Sequence, residues 1–422
     1  MVALVAIVTL CAAIGAAVMF GWRTMQRTEF TPPRREGPPA LVMHEGRAAL
    51  WLMVKLEERR RFGRSRYNTR YHLELRAHDG DSGELLWTRR LRSLDENQDG
   101  SGARGRILGQ QGDRVWLFVH DTPVAVAASD GTVKATLLDV LAANPALQGV
   151  VTNALDNVAF DDGLVLVTAD ARRHRIAAPP ALTAAPYEPA SEQAFSDLRF
   201  RASRWNGGFD HHNFLTPQAR TGTGTGGWLG LFTPAEAKAA ADDPWGDHLK
   251  QPDRTWRSTD REARRSLWNA RFGRTREFSE GSHERIVALT PLPQSPEYLQ
   301  GGFLREAGQP RPLLLDDSAL FVVHRTRTDA AGRAVLTQLV IDREGGAKPG
   351  WSATLPFTEL RNRWQLPGRL LMFGTAEITD AEGQRRHEES LASVELRSGR
   401  LQGWLIERDS PLVALRAPTA AK

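Results

Sequence analysis

Three times along this chain a β-rich run leads into a polar turn with glycine, then a second short strand, then a tryptophan. The first copy is Tyr71–Ala77 followed by His78-Asp-Gly-Asp-Ser-Gly-Glu-Leu-Leu-Trp87. The second is Leu336–Val340 with Ile341-Asp-Arg-Glu-Gly-Gly-Ala-Lys-Pro-Gly-Trp351, and the third is Ser390–Ser393 with Val394-Glu-Leu-Arg-Ser-Gly-Arg-Leu-Gln-Gly-Trp404. A weaker copy, Val124–Val133, keeps its Asp130-Gly131 turn and loses the tryptophan. Repetition of one supersecondary unit constrains a fold more than any single motif does. The glycine permits the positive φ of a hairpin turn. The flat indole covers the joint between neighbouring sheets, where it buries a large area. Trp351 and Trp404 are about one propeller blade apart.

The rest of the chain agrees with repeated short strands. Ala48–Val54, Val115–Val119, Leu164–Val167, Leu320–His324 and Arg369–Phe373 are brief apolar runs bounded by Gly, Asp, Asn or Pro. Helical patterns are scarce outside one region. The expected class is all-β, a propeller of about seven blades. Trp87, Trp351 and Trp404 should take equivalent blade positions and be largely buried. A late strand near Leu412–Leu415 should close the ring against sequence just after Pro39.

The segment Ala77-x-Asp-x-x-Ser-Gly-Glu-Leu-Leu-Trp87 resembles the A-x-D-x-x-T-G-x-x-x-W signature of pyrroloquinoline-quinone-like propeller repeats. Two more copies are degenerate, and the resemblance covers roughly half of the chain. It implies a fold rather than an activity. Members of this repeat class include interaction scaffolds, such as the outer-membrane barrel-assembly lipoprotein. An N-terminal anchor followed by a degenerate propeller is a plan similar to that of proteobacterial membrane proteins of this class. Quinone enzymes of the class typically use a vicinal cysteine pair beside the cofactor. Here Cys11 is the single cysteine and lies in the apolar N-terminus, so that pair, a disulfide framework and a thiolate metal site have no residues to build them.

Met1–Trp22 carries no charged side chain, and Val2–Phe20 has about the length that spans a bilayer as a helix. Trp22 sits where an interfacial aromatic belongs, ahead of Arg23 and Arg27. An uncleaved anchor over residues 1–22 is expected. The apolar run is too long for a signal peptide without a charged leader, and Leu10 before Cys11 does not suit a lipoprotein signal. Arg23, Arg27, Arg34 and Arg35 follow the span and by the positive-inside rule point to the cytoplasm. The thiol-free domain and the repeat class favour the periplasm, so the expected location is the inner membrane, single-pass, with a periplasmic domain. Residues 23–40, with Thr31-Pro-Pro-Arg-Arg-Glu-Gly-Pro-Pro39, read as a semi-rigid Pro-rich linker. Residues 41–422 read as the propeller.

Residues 177–300 break the repeat and are expected to be a partly helical insertion or an expanded blade. Thr233-Pro-Ala-Glu236 is a capping box with Pro at the first helical position, followed by Ala-rich sequence to Ala241. Thr259-Asp-Arg-Glu262 predicts a second helix to about Arg271, with Trp268 packed along it. Trp205, Trp228, Trp245, Trp256 and Trp268 all fall in this region. Interface cores are rich in Trp and Arg, so Trp245, Arg254, Trp256 and Arg257 are the candidate protein-binding residues. Trp245, in a turn-like stretch, is expected to be partly exposed.

Other motifs carry less. Asp95-Glu-Asn-Gln-Asp-Gly100 places Asp95, Asn97 and Asp99 at alternate positions before a glycine, the first half of a calcium loop, but the twelfth position is Arg106 rather than Glu. Calcium is the one cofactor these residues suggest, and a polar loop is the simpler reading. Asp210-His211-His212, His120-Asp121 and His248 match no zinc spacing. Gly222–Gly227 lacks the Lys-Ser/Thr of a phosphate loop and reads as flexible sequence. The net charge of +5 reads as spread along the chain. The densest basic run, Glu57–Arg66 with Arg59, Arg60, Arg61, Arg64 and Arg66, reads as a solvated loop or turn. No nucleic-acid partner is expected. The expected function is a membrane-anchored, non-catalytic scaffold for another envelope protein. The alternative is a ligand sensor or a calcium- or quinone-dependent enzyme using the central funnel.

Overall fold

The computed structural model describes residues 28–62, 66–95, 102–151, 155–192, 195, 215–216, 218–220, 227–242, 262–277, 281–304, 312–316, 318–327, 332–341, 346–379, 383–407, 410–411 and 419–420. The protein is all-β, and its described strands form six antiparallel sheets. The chain divides into two compact units, one of residues 1–79 and 85–205, the other of residues 80–84 and 206–422.

The first unit holds three sheets. β1 (Thr28–Phe30), β2 (Arg34–Arg35) and β3 (Ala40–His44) all pair with β4 (Arg47–Phe62), which continues into β5 (Arg66–Asp79) and β6 (Leu85–Asp95). A four-stranded meander follows, β7 (Gly105–Gln111), β8 (Arg114–Val119), β9 (Thr122–Ala127) and β10 (Val133–Thr136). After helix α1 (Leu137–Ala143) comes another, β11 (Val158–Phe160), β12 (Leu164–Val167), β13 (Arg173–Ile176) and β14 (Ala184–Pro186). Neighbouring sheets share cores. Trp51, Met53, Leu73 and Leu75 pack against Val115, Leu117 and Val126. On the other face of the second sheet, Trp116 and Phe118 pack against Leu164, Leu166 and Ile176. This is why Val115–Val119 is apolar without alternation: a strand buried on both faces has no solvent side.

The second unit repeats the plan. β15 (Leu215–Thr216) belongs to a later sheet. β16 (Gln218–Arg220), β17 (Gly227–Phe232), β18 (Arg264–Glu277) and β19 (Gly281–Pro291) form one meander, with β20 (Tyr298–Leu299) also on β18. β21 (Gly302–Leu304), β22 (Leu314–Leu315), β23 (Ala319–Arg325), β24 (Ala334–Ile341) and β25 (Ala347–Thr354) build the next, which β15 extends. The last runs β26 (Phe357–Leu366), β27 (Arg369–Thr379), β28 (Arg385–Glu395), β29 (Leu401–Leu405) and β30 (Ser410–Pro411). β31 (Thr419–Ala420) pairs with Trp351 and Ser352. Leu229, Leu231 and Leu267 share a core with Phe303, Leu320 and Val322, and Phe321, Val323 and Leu336 share one with Leu370, Met372 and Val394.

Several expectations change here. Part of the stretch read as a linker lies in the first sheet, since β1 and β2 pair with β4. The second capped helix is the strand β18. Its residues alternate, with Arg265 and Leu267 buried and Arg264 exposed, and β17 and β19 hydrogen-bond both of its edges. The run Glu57–Arg66 is no solvated loop, because residues through Phe62 and from Arg66 are paired strand. The first capping box is present on helix α2 (Pro234–Asp242): Thr233 N–H donates to Glu236 Oε2 at 2.8 Å and Glu236 N–H to Thr233 Oγ1 at 3.2 Å. Among the described residues six sheets stand where about seven blades were expected. Leu412–Leu415 lies outside the described residues, as does the span at residues 1–22. Among the described residues no helix is long and apolar enough to cross a membrane.

Candidate functional site

The repeat tryptophans occupy one place in the architecture. Trp87, Trp351 and Trp404 lie on β6, β25 and β29, each the fourth strand of a meander. Trp351 is 7% exposed, whereas Trp87 and Trp404 are half-buried. Each tryptophan packs on a turn glycine of another repeat, Trp87 and Trp351 through the ring and Trp404 through its Cβ. A Cβ at Gly131 would stand 2.7 Å from the Trp87 ring, one at Gly399 2.5 Å from Trp351, and one at Gly83 2.9 Å from the Trp404 Cβ. The glycines have φ of +67°, +70° and +83°, a region that an L side chain enters only with strain. The residue before each glycine caps the turn. Asp130 Oδ1 accepts from Thr132 N–H at 2.9 Å, Ser82 Oγ from Glu84 N–H at 3.2 Å, and Ser398 Oγ from Arg400 N–H at 3.1 Å.

A polar chain crosses one face of the first sheet. Arg60 Nε donates to Glu58 Oε1 at 2.6 Å, Glu58 Oε2 is 2.8 Å from His72 Nε2, and His72 Nδ1 is 2.7 Å from Ser93 Oγ. His72 is 2% and Glu58 5% exposed, while Ser93 is exposed. Burial pushes the Glu58 carboxyl up, but hydrogen bonds from Arg60 and His72 outweigh it and hold the group below its ordinary range. An ionised Glu58 only accepts, so His72 donates to it from Nε2, and the tautomer with a bare Nδ1 receives the Ser93 hydroxyl there. That is the order nucleophile, base, orienting carboxylate. Arg90 pairs with Glu74 at 2.9 Å on the same strands.

The second unit holds a small pocket lined by Gln300, Val323, His324, Arg325, Ala334, Thr358 and Leu360. Burial pushes the His324 pKa down to about 4 against a backbone hydrogen bond with Arg325, leaving a neutral imidazole. Its Nε2 lies 3.0 Å from Thr337 Oγ1, which lies 2.9 Å from Ser352 Oγ. The Tyr298 ring packs edge-on at 5.1 Å. Burial raises the Tyr298 hydroxyl to about 12, and among the described residues it has no hydrogen-bond partner. The pocket thus sets a neutral imidazole beside Val323, Ala334 and Leu360, with room for about one water.

Of the candidate site residues singled out by sequence, the structure describes Asp95. Asp95 is bound to Arg70, Nε to Oδ1 at 2.7 Å. The hydrogen bond from Arg70 holds the Asp95 pKa down despite opposing desolvation. Asn97, Asp99, Trp245, Arg254, Trp256 and Arg257 lie outside the described residues, as do His211, His212 and His248. Among the described residues no group of three His, Cys, Asp or Glu side chains could hold a metal. Trp268 is half-buried on β18 and donates from Nε1 to the Phe232 carbonyl at 3.1 Å, a packing role on a strand instead of a helix.

The charge distribution also differs from its first reading. The hairpin of residues 55–70 carries seven basic residues and two acidic ones, a net +5 that equals the whole chain's, so the remainder balances to zero. Sequence reasoning missed a signal in this run. Glu57 with Arg59, and Glu58 with Arg60, stand two apart, a spacing that puts partners on one face only in a strand; both pairs close at 2.6 Å. No protein-family model matches the chain, and no curated protein matches it.

Proposed function

We propose that the six sheets are blades of one β-propeller of the pyrroloquinoline-quinone-like repeat type, anchored by residues 1–22 in the inner membrane with its large domain in the periplasm. It acts as a non-catalytic scaffold for another envelope protein. The observation that carries this reading is the tryptophan laid on a turn glycine, which recurs with the same turn geometry at Trp87 on Gly131, Trp351 on Gly399 and Trp404 on Gly83. The third contact joins the last full meander to the turn at residues 80–84, as a closed series of blades requires. Residues 177–300 fit an expanded blade, because β16–β19 form a meander like the others, with α2 in its β17–β18 connection. Fold alone does not fix function. The scaffold reading draws support from the buried polar clusters, which tie neighbouring strands of single sheets to one another. Calcium at Asp95 is disfavoured by its pairing with Arg70.

A second reading rests on Ser93, His72 and Glu58. Their order would let Ser93 attack an ester, with its proton passing to His72 Nδ1 and then to the leaving alkoxide. One experiment separates the two. The full-length protein is cross-linked in membranes, purified, and a parallel sample is treated with a fluorophosphonate. The scaffold reading expects one envelope protein in stoichiometric yield and an unmodified Ser93. Phosphonylation of Ser93 that is lost in His72→Gln would replace the scaffold with a hydrolase.

A further inference from the structure

We infer that the outer edge of β6 takes an extended segment of another protein as an added strand, and that this edge is where the scaffold holds its partner. The inference rests on the scaffold reading and names the surface it uses. Two fourth strands of the second unit already carry such an addition. β31 pairs antiparallel with β25, Ala420 opposite Trp351 and Thr419 opposite Ser352. β30 pairs antiparallel with β29, Pro411 opposite Trp404 and Ser410 opposite Leu405. Both additions stand on the repeat tryptophan and the residue after it. β6 is the fourth strand that carries the remaining repeat tryptophan, Trp87. Among the described residues it pairs with β5 alone.

The edge is accessible, since Leu86, Thr88, Arg89 and Arg90 are exposed. A free strand edge displays unpaired N–H and C=O groups, and an added strand gains main-chain hydrogen bonds there. Ala77 faces Trp87 and His78 faces Leu85, so Leu86 is the extra residue of a bulge, a device that blunts many edges. β25 has the same kind of irregularity between Pro349 and Ser352, and still accepts β31. Side chains define the occupant. Trp87 and Arg89 share a face, and both approach Gly131. Arg90 is bonded to Glu74 and Arg92 to Asp121. Arg89 makes no side-chain ion pair among the described residues and meets the Asp130 carbonyl at 3.4 Å, while the Asp130 carboxylate is taken up by Thr132. An antiparallel partner therefore places a small residue opposite Trp87, as Ala420 and Pro411 stand opposite their tryptophans. Two residues earlier in its own sequence it places an acid, opposite Arg89. A second copy would instead set Arg89 beside Arg89, an unfavourable like-charge pair.

The test is hydrogen–deuterium exchange on the full-length protein in detergent with a synthetic peptide, acetyl-Thr-Val-Glu-Val-Ala-Thr-Val-amide, and with its counterpart carrying Lys in place of Glu. With the Glu peptide at about ten times its Kd, outer-edge amides of β6 should exchange on the order of ten-fold more slowly. Amides of β25 and β29, whose edges are filled, should not change. Arg89→Glu should weaken the Glu peptide about five-fold and strengthen the Lys peptide by as much. No protection of β6 at about 1 mM peptide, or protection indifferent to the charge at residue 89, overturns the inference. An envelope protein still cross-linked in stoichiometric yield would then leave the scaffold standing on another surface, and its absence would remove the scaffold as well. A protein that is dimeric on its own, with β6 amides that lose protection on dilution, assigns the edge to a second copy and also overturns the inference.

Discussion

Replacing Gly399 with Ala perturbs two things at once, and the structure supplies a control for each. At φ +70° an alanine carries a backbone penalty of about 1 kcal/mol. Its Cβ would also stand 2.5 Å from Trp351 Cδ2. The indole cannot withdraw freely, since Trp351 is buried and its Nε1 donates to the Leu396 carbonyl at 3.3 Å. Overpacking of this kind adds about 1–3 kcal/mol. Gly368 has nearly the same φ, +68°, with nothing within 4 Å of an added Cβ, so Gly368→Ala should show the backbone penalty alone. Gly399→Ala should therefore destabilise by about 2–4 kcal/mol. At about 2–4 °C per kcal/mol for a unit of this size, its Tm should fall several degrees below that of Gly368→Ala. Trp351→Ala, expected to cost about 3–5 kcal/mol, should remove the excess, giving a coupling of about 1–3 kcal/mol between the sites. Thermal unfolding followed by far-UV circular dichroism in detergent measures the wild type, the three single variants and the Gly399→Ala/Trp351→Ala double. A Gly399→Ala protein no less stable than Gly368→Ala would refute the claim that the indole is seated on that turn.

His324 should make the second unit acid-sensitive. The unfolded imidazole takes a proton near its ordinary 6.5 and the folded one near 4, so stability is full above the first value and falls until the second. The loss is about 3 kcal/mol; denaturant titrations should show a shallower pH slope in His324→Gln, and an unchanged slope would contradict the burial argument. Arg265 donates through Nε and Nη2 to Glu236 at 2.9 and 2.7 Å and through Nη1 to the Gly301 carbonyl at 3.1 Å. Arg265→Ala should cost about 3 kcal/mol by stranding a partly buried carboxylate, and Arg265→Lys should recover only part of it because the fork is lost; full recovery by Lys in a melting curve would count against the geometry.

What the sequence revealed follows from how local each signal is. The turn glycines and fourth-strand tryptophans were legible because a strand, a turn and an indole sit within one continuous stretch, and the Thr233–Glu236 capping box because its two hydrogen bonds close within four residues. Thr259–Glu262 shows the same local pattern, yet the chain beyond it is strand. There β17 and β19 supply hydrogen bonds to both edges, and alternate burial of Arg265 and Leu267 outweighs a helix start. The arginine run at 59–61 hid its strand character because like charges in sequence suggest repulsion. Glutamates two residues back neutralise that repulsion only in extended backbone. The remaining clusters are long-range. Glu58 meets His72 across fourteen residues and Ser93 lies another twenty-one on, so their meeting depends on the β4–β5 and β5–β6 registers, and β6 carries a bulge that composition does not foretell.

The proposal that the sheets close into a series of blades stands or falls on Trp404. A photo-reactive p-benzoylphenylalanine placed at that position in the full-length protein abstracts hydrogen from what touches it, and peptide mass spectrometry identifies the partner. The account predicts a cross-link to the turn at residues 80–84, centred on Ser82 and Gly83. Cross-links confined to the strands of its own sheet, with none to that turn, would contradict it.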